Sequence, residues 1–162
     1  MKLSEYIEKY GDCEVTDEID KCIVKMPKTV YDLKDGDKYL FLTNLGTIMT
    51  GIWRNDDSNF DMERRIGNTF LTIEDAKFAS ERLKVIAELK TYAKEFSDEE
   101  WEDFDLNKYS IRYDCRNFRV FASCGFLSKG AELYFENKQK AQEAIKAVGE
   151  ERVKKYYLGV KE

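Results

Sequence analysis

Catalysis needs side chains that hold a proton, a metal or a nucleophile, and this 162-residue chain contains no histidine. That absence removes Ser-His and Cys-His nucleophile pairs, HExxH zinc sites and imidazole-led general-base chemistry. Asp56, Asp57 and Asp61 lie close enough to hold a divalent cation or to share acid–base work. Their spacing is not that of a calcium loop, and a solvated acidic loop accounts for them more simply. Cys13 and Cys22, like Cys115 and Cys124, are separated by eight residues. Neither pair has the close spacing of structural zinc ligands, so the four thiols are expected as reduced, small apolar residues. Gly125 and Gly130 have the separation of a phosphate-binding loop, but Ala131-Glu132 stands where Lys-Ser/Thr would hold phosphate and magnesium. No catalytic residue, metal or cofactor is therefore expected.

Binding residues are easier to find. Trp53 at a strand end, beside Arg54, Arg64 and Arg65 and near Asp56 and Asp57, suits a protein–protein anchor, because Trp and Arg dominate interface energetics. The alternative is that Trp53 faces the core and Arg64 pairs with Asp56 or Asp57 to fix the loop. Glu95 to Asp105 carries seven acids and no bases. Here Glu99, Glu100 and Trp101 form a second candidate surface, whose carboxylates could imitate phosphates. A contrasting reading is nucleic-acid binding, with Tyr109, Tyr113, Phe118 and Phe121 as a stacking platform. Lys138 to Lys161 adds seven bases against three acids. The whole chain has a net charge of −5, which opposes a protein that coats nucleic acid.

The elements that must position these residues follow from pattern. With 43% hydrophobic and 14% aromatic residues the chain can bury a real core. No signal-peptide core or bilayer-length apolar run is visible, so a soluble, cytoplasmic protein without membrane contact is expected. Helices are predicted from Leu3 to Tyr10 and from Asp17 to about Lys25, stopped by Pro27. Strands Tyr39 to Thr43 and Thr47 to Trp53 flank the turn Asn44-Leu45-Gly46, and Arg54 to Arg65 reads as a loop or a single helical turn. A third strand, Thr69 to Thr72, leads into a long helix from Glu74 to Glu95 capped by Thr72. That helix carries two apolar stripes. Ala76, Ala79, Leu83, Ile86 and Ala93 form one; Phe78, Val85, Leu89, Tyr92 and Phe96 form the other, which the amino-terminal segment is expected to cover. After an acidic connector come strands Lys108 to Asp114, Phe118 to Ser123 and Ala131 to Phe135. Asn137 caps a helix from Lys138 to Val148, and a last helical turn covers Glu150 to Tyr157.

The two halves share spacing. Lys38-Tyr39 and Lys108-Tyr109 are offset by 70 residues, and Phe70/Phe135, Ala76/Ala141 and Ala79/Ala144 by 65. The expected fold is α+β: two ββ-β-α repeats, antiparallel sheets packed with helices and sharing one core. The divisions are 1–37 (helical extension), 38–96 (first repeat), 97–107 (connector) and 108–162 (second repeat).

Trp53-Arg54-Asn55-Asp56-Asp57, Arg64, Gly67 to Ala76 and Glu81-Arg82-Leu83 resemble small phage and prophage proteins of Firmicutes. So do the opening Leu3 to Asp12 and the ending Ala144 to Tyr157. The resemblance implies genome context, not chemistry. Such accessory proteins commonly act by binding, so it implies a non-catalytic partner of a host protein. A defence nuclease is the expected target, making this an anti-CRISPR-like inhibitor acting as a monomer or homodimer. The alternative is a nucleic-acid-binding module of phage origin.

Overall fold

A computed structural model describes residues 29–56, 58–125 and 130–160 of the chain. It is mixed α+β, with two compact units, Met1–Leu33 and Lys34–Glu162. The helices expected before Pro27 lie outside the described residues. In the first unit Thr29 caps a short 3-10 turn, Val30–Asp32, its backbone N–H donating to the Asp32 carboxylate at 2.9 Å.

The second unit opens with a hairpin of β1 (Lys38–Leu42) and β2 (Ile48–Ile52). Gly46 closes its turn at φ 75°, a conformation that favours glycine. Phe70 joins β1 through two backbone bonds to Leu40, both 2.8 Å. The expected third strand is this single bridge. Beside it the Asn68 carboxamide takes the place of a neighbouring backbone, accepting from the Leu42 N–H and donating to the Leu42 carbonyl, both at 2.8 Å. Beyond Phe70, Thr72 already caps the next helix, leaving no length for a strand.

The stretch expected to be a loop or a single helical turn contains a longer helix, α1 (Ser58–Arg65). Asp61 pairs with both Arg64 and Arg65 one turn on, and Phe60 packs on Trp53 and Tyr39. Those local pairs and the aromatic anchor hold a segment whose composition is otherwise poor in apolar residues.

Helix α2 (Ile73–Lys90) starts where Thr72 accepts from the Asp75 N–H at 3.1 Å. It ends earlier than expected. The Thr91 hydroxyl donates to the Glu88 carbonyl at 2.8 Å, and the Lys94 N–H is drawn to the Tyr134 carbonyl at 2.8 Å. A short helix, α3 (Asp98–Glu102), occupies the acidic connector.

The second hairpin pairs β3 (Lys108–Asp114) with β4 (Arg119–Gly125). The Asp114 carboxylate accepts from the Arg116 and Asn117 N–H groups and holds the turn. Phe135 bridges to Tyr109 by backbone bonds of 2.8 and 3.1 Å. Here too the expected strand is one bridge, because Asn137 caps α4 (Lys138–Val148) two residues later. Gly149 then turns the chain into α5 (Glu150–Arg152), which continues as a π-helical turn, Val153–Tyr157.

The main core lies around the second hairpin. Val85 and Leu89 of α2 meet Ile111, Val120, Phe135, Val148, Val153 and Tyr157, with Ala141 and Ala144 letting α4 approach closely. The second stripe of α2 is thus covered from the carboxyl-terminal side, where Phe78 also stacks on Tyr156 at 5.3 Å. The amino-terminal segment expected to cover that face lies outside the described residues; what is described there is the cover supplied by the later elements. The other stripe is uneven, with Ala76 fully buried and Leu83 61% exposed.

Arg152 locks the same junction. Its two terminal nitrogens donate to both carboxylate oxygens of Glu88 at 2.8 and 2.9 Å, which holds the Glu88 carboxyl below its ordinary range. A carboxyl whose folded pKa is depressed stabilises above its unfolded value and loses that contribution as pH falls through the folded value. An Arg152→Met variant should be less stable at neutral pH, by at most about 1 kcal/mol because the pair is half-exposed. Urea titrations at descending pH should show the gap to the parent chain closing below about pH 4.

Candidate functional site

Trp53 is not the exposed anchor that its neighbours suggested. It is 2% exposed. Its indole N–H donates to Asn55 Oδ1 at 2.9 Å, its ring meets Tyr39 edge-on at 5.7 Å, and the Arg64 guanidinium lies 5.1 Å from its centroid. Arg64 pairs with Asp61, not with Asp56, and Arg65 reaches the same carboxylate at 2.8 Å. The Arg64 guanidinium, then that of Arg65, holds the Asp61 carboxyl below its usual value. Asp61 is therefore spent on arginines and not poised for a metal. Arg54 and Asp56 remain exposed, and Asp57 lies outside the described residues. The cluster fixes the hairpin end.

The acidic connector divides into an inner and an outer side. Glu100 accepts from the Ser97 N–H at 2.9 Å and from Lys94 at 2.7 Å. Lys94 is the larger reason that its carboxyl is lowered. Glu99 accepts from the Ser97 hydroxyl at 2.8 Å, which lowers it in turn. Trp101 is half-buried, edge-on to Tyr134 at 4.8 Å and near Phe96 at 5.8 Å. Beneath them Lys108 is fully buried. Its ammonium donates to the Asp103 and Leu106 carbonyls at 2.9 and 3.0 Å and sits 5.4 Å from the Trp101 ring. Carbonyls and ring faces replace water around the charge. Of the three connector residues expected to bind a partner, Glu99 alone is exposed, and Glu100 and Trp101 are partly buried.

The proposed stacking platform is also split. Tyr109 and Tyr113 pack against the core. Phe121 is paired with Arg112 in the register, on the opposite face of the strands, and Phe118 is 76% exposed at the turn. Four rings on two faces cannot stack successive bases.

What the fold does assemble is a groove of about 590 Å³ between β4 and α4. Val120, Ala122 and Ile145 contribute apolar surface, while Arg119, Lys138 and Lys146 are exposed along it. Arg119 is 3.8 Å from Asp114, a loose pairing. Lys138 and Lys146 have no ion pair among the described residues. The groove also holds the Glu150 carboxylate, which accepts from the Val120 N–H at 3.0 Å. Three cations thus face one carboxylate that is already engaged. Of the groove's residues the sequence singled out Phe121, as part of the stacking platform, and Lys138 and Lys146 only within a basic surplus; the groove itself was not read there.

Among the described residues no three His, Cys, Asp or Glu side chains are placed to hold a metal, and no helix is long and apolar enough to cross a membrane. Cys115 and Cys124 are free thiols; Cys13 and Cys22 lie outside the described residues. The groove can offer hydrogen bonds from a strand edge, apolar contact and positive charge. No family model, curated protein or solved structure matches this chain.

Proposed function

We propose that the chain is a non-catalytic, phage-encoded accessory protein that grips a host protein, with the groove between β4 and α4 as its point of grip. The observation that carries this reading is the coincidence, in one groove, of apolar surface with ammonium groups and a strand edge that have no partner among the described residues. Protein interfaces combine these ingredients: an apolar centre, a polar rim and backbone groups waiting for a partner. The likeness of Gly67 to Ala76 and Ala144 to Tyr157 to phage and prophage proteins supports the genome context. A defence nuclease remains the target that this context favours. Neither the buried Trp53 nor the capped α3 helix offers a comparable surface.

The full chain, immobilised and exposed to lysate of a Firmicutes host, should retain one protein at defined stoichiometry. A K138E/K146E variant should not. Retention should persist at moderate salt, because an apolar centre is not screened. A steep loss of binding with salt, accompanied by a shift of duplex or single-stranded DNA, would instead favour the nucleic-acid module.

A further inference from the structure

We infer that the groove's occupant is an extended acidic segment of the partner, added as a new strand to the edge of β4 that no described residue pairs. The inference rests on the protein-binding reading above and names the chemistry of its ligand.

The register decides which backbone groups are free. Tyr109 turns its N–H and carbonyl toward Phe135, so it does not spend them on Cys124, its partner across the hairpin. Backbone groups alternate sides along a strand. Residues 119, 121, 123 and 125 of β4 therefore bond β3, while Val120, Ala122 and Cys124 direct theirs away from it. Glu150 takes the Val120 N–H. The Val120 carbonyl, both Ala122 groups and the Cys124 N–H have no partner among the described residues. β4 has no proline, and its single charged residue is Arg119 at the start. Exposed edges are usually blunted by charge, proline or a bulge, so this one is open to pairing. An incoming strand would lie beside α4, in the manner of a peptide held between strand and helix.

Charge and spacing set the ligand's sequence. Lys138 and Lys146 are eight residues apart on α4, about 12 Å along a helix axis. A strand covers about 12 Å in roughly four residues. Side chains at positions i and i+4 of a strand share a face, so two acids at that spacing would meet the two ammonium groups. The residue between them, at i+2, would face the same way, onto Ala122 and Ile145, and should be apolar. The pattern is acid-x-apolar-x-acid. The Glu150 carboxylate already supplies an internal acceptor at the end of the edge. The ligand strand is bounded there.

The test uses the full-length protein and a nine-residue synthetic peptide, valine- and threonine-rich, with Glu at positions 3 and 7 and Val at position 5. Fluorescence anisotropy should show saturable binding. Replacing both Glu residues by Gln should weaken it about tenfold, and N-methylation of the backbone amides facing β4 should abolish it. K138E/K146E should lose the Glu peptide and take up the corresponding Lys peptide, a gain that a misfolded variant could not show. Binding that ignores N-methylation, or that survives scrambling of the acid spacing, would overturn strand addition. So would no peptide binding at all. If the peptide also competes with the lysate protein, both readings stand. Retention of a lysate protein without competition keeps the protein-binding reading and rejects this one.

Discussion

Phe135→Ala should lower the unfolding free energy by about 3–5 kcal/mol, the range for truncating a fully buried aromatic ring. Phe135 is wholly shielded from solvent, and its backbone is tied to Tyr109 on both sides. Its ring shares a cluster with Val85 and Leu89 of α2 and with Ala141 and Ala144 of α4. Alanines have nothing to extend into a vacancy, and the paired backbone keeps β3 from closing on it, so most of the cavity should persist. Small domains have only about 5–15 kcal/mol in total, which puts the variant near the edge of folding. Urea unfolding followed by tryptophan fluorescence and far-UV circular dichroism reads the loss. Phe70→Ala is the control. Its ring has the same place beside the first hairpin but is only partly buried, and it should cost clearly less. Equal losses at the two positions would mean that the main core is not centred on the second hairpin.

Gly51→Val should cost about 1–3 kcal/mol or more, although valine is the better strand former. A Cβ at Gly51 would lie 2.4 Å from Cε1 and 2.6 Å from Cζ of the Tyr39 ring across the hairpin. That ring has nowhere to go. It is 2% exposed, closed in by Trp53 and Phe60 at 5.7 and 5.8 Å, and its hydroxyl donates to Glu63 at 2.8 Å. A double-mutant cycle separates this clash from any backbone effect. In a Tyr39→Leu background the Gly51→Val cost should shrink or vanish, since the flat ring is gone. An unchanged cost in that background would place the strain in the backbone instead.

Much of the architecture was legible because it is written locally. Asn44-Leu45-Gly46 marked the first turn, and Thr72 and Asn137 marked two helix starts through side-chain oxygens that accept backbone N–H groups. The third strands were less so: a short β-like run before a cap looks the same whether it makes one bridge or several. Helix α1 hid in a charged segment that Phe60 ties to the fold through the rings of Tyr39 and Trp53. Trp53 shows the limit for sites. A tryptophan at a strand end reads equally as an anchor for a partner or as a lid on its own hairpin, and only the positions of Tyr39 and Phe60 decide. The groove depends on 119–122 lying beside 138–146, a juxtaposition that composition records only as an excess of lysine. The duplication itself stays an expectation; what is observed is the order hairpin, bridging phenylalanine, capped helix in each half.

The cover of α2 has a consequence for biosynthesis. Its partners come late: Arg152 and Tyr156 bond back to residues 64 and 74 positions earlier. Contacts closed over such separations form slowly. While translation proceeds, Phe78 and Glu88 wait for the last helical turns, which bring Tyr156 and Arg152 to them. The emerging polypeptide should therefore carry part of this oily helix face uncovered until residues 152–157 have been made.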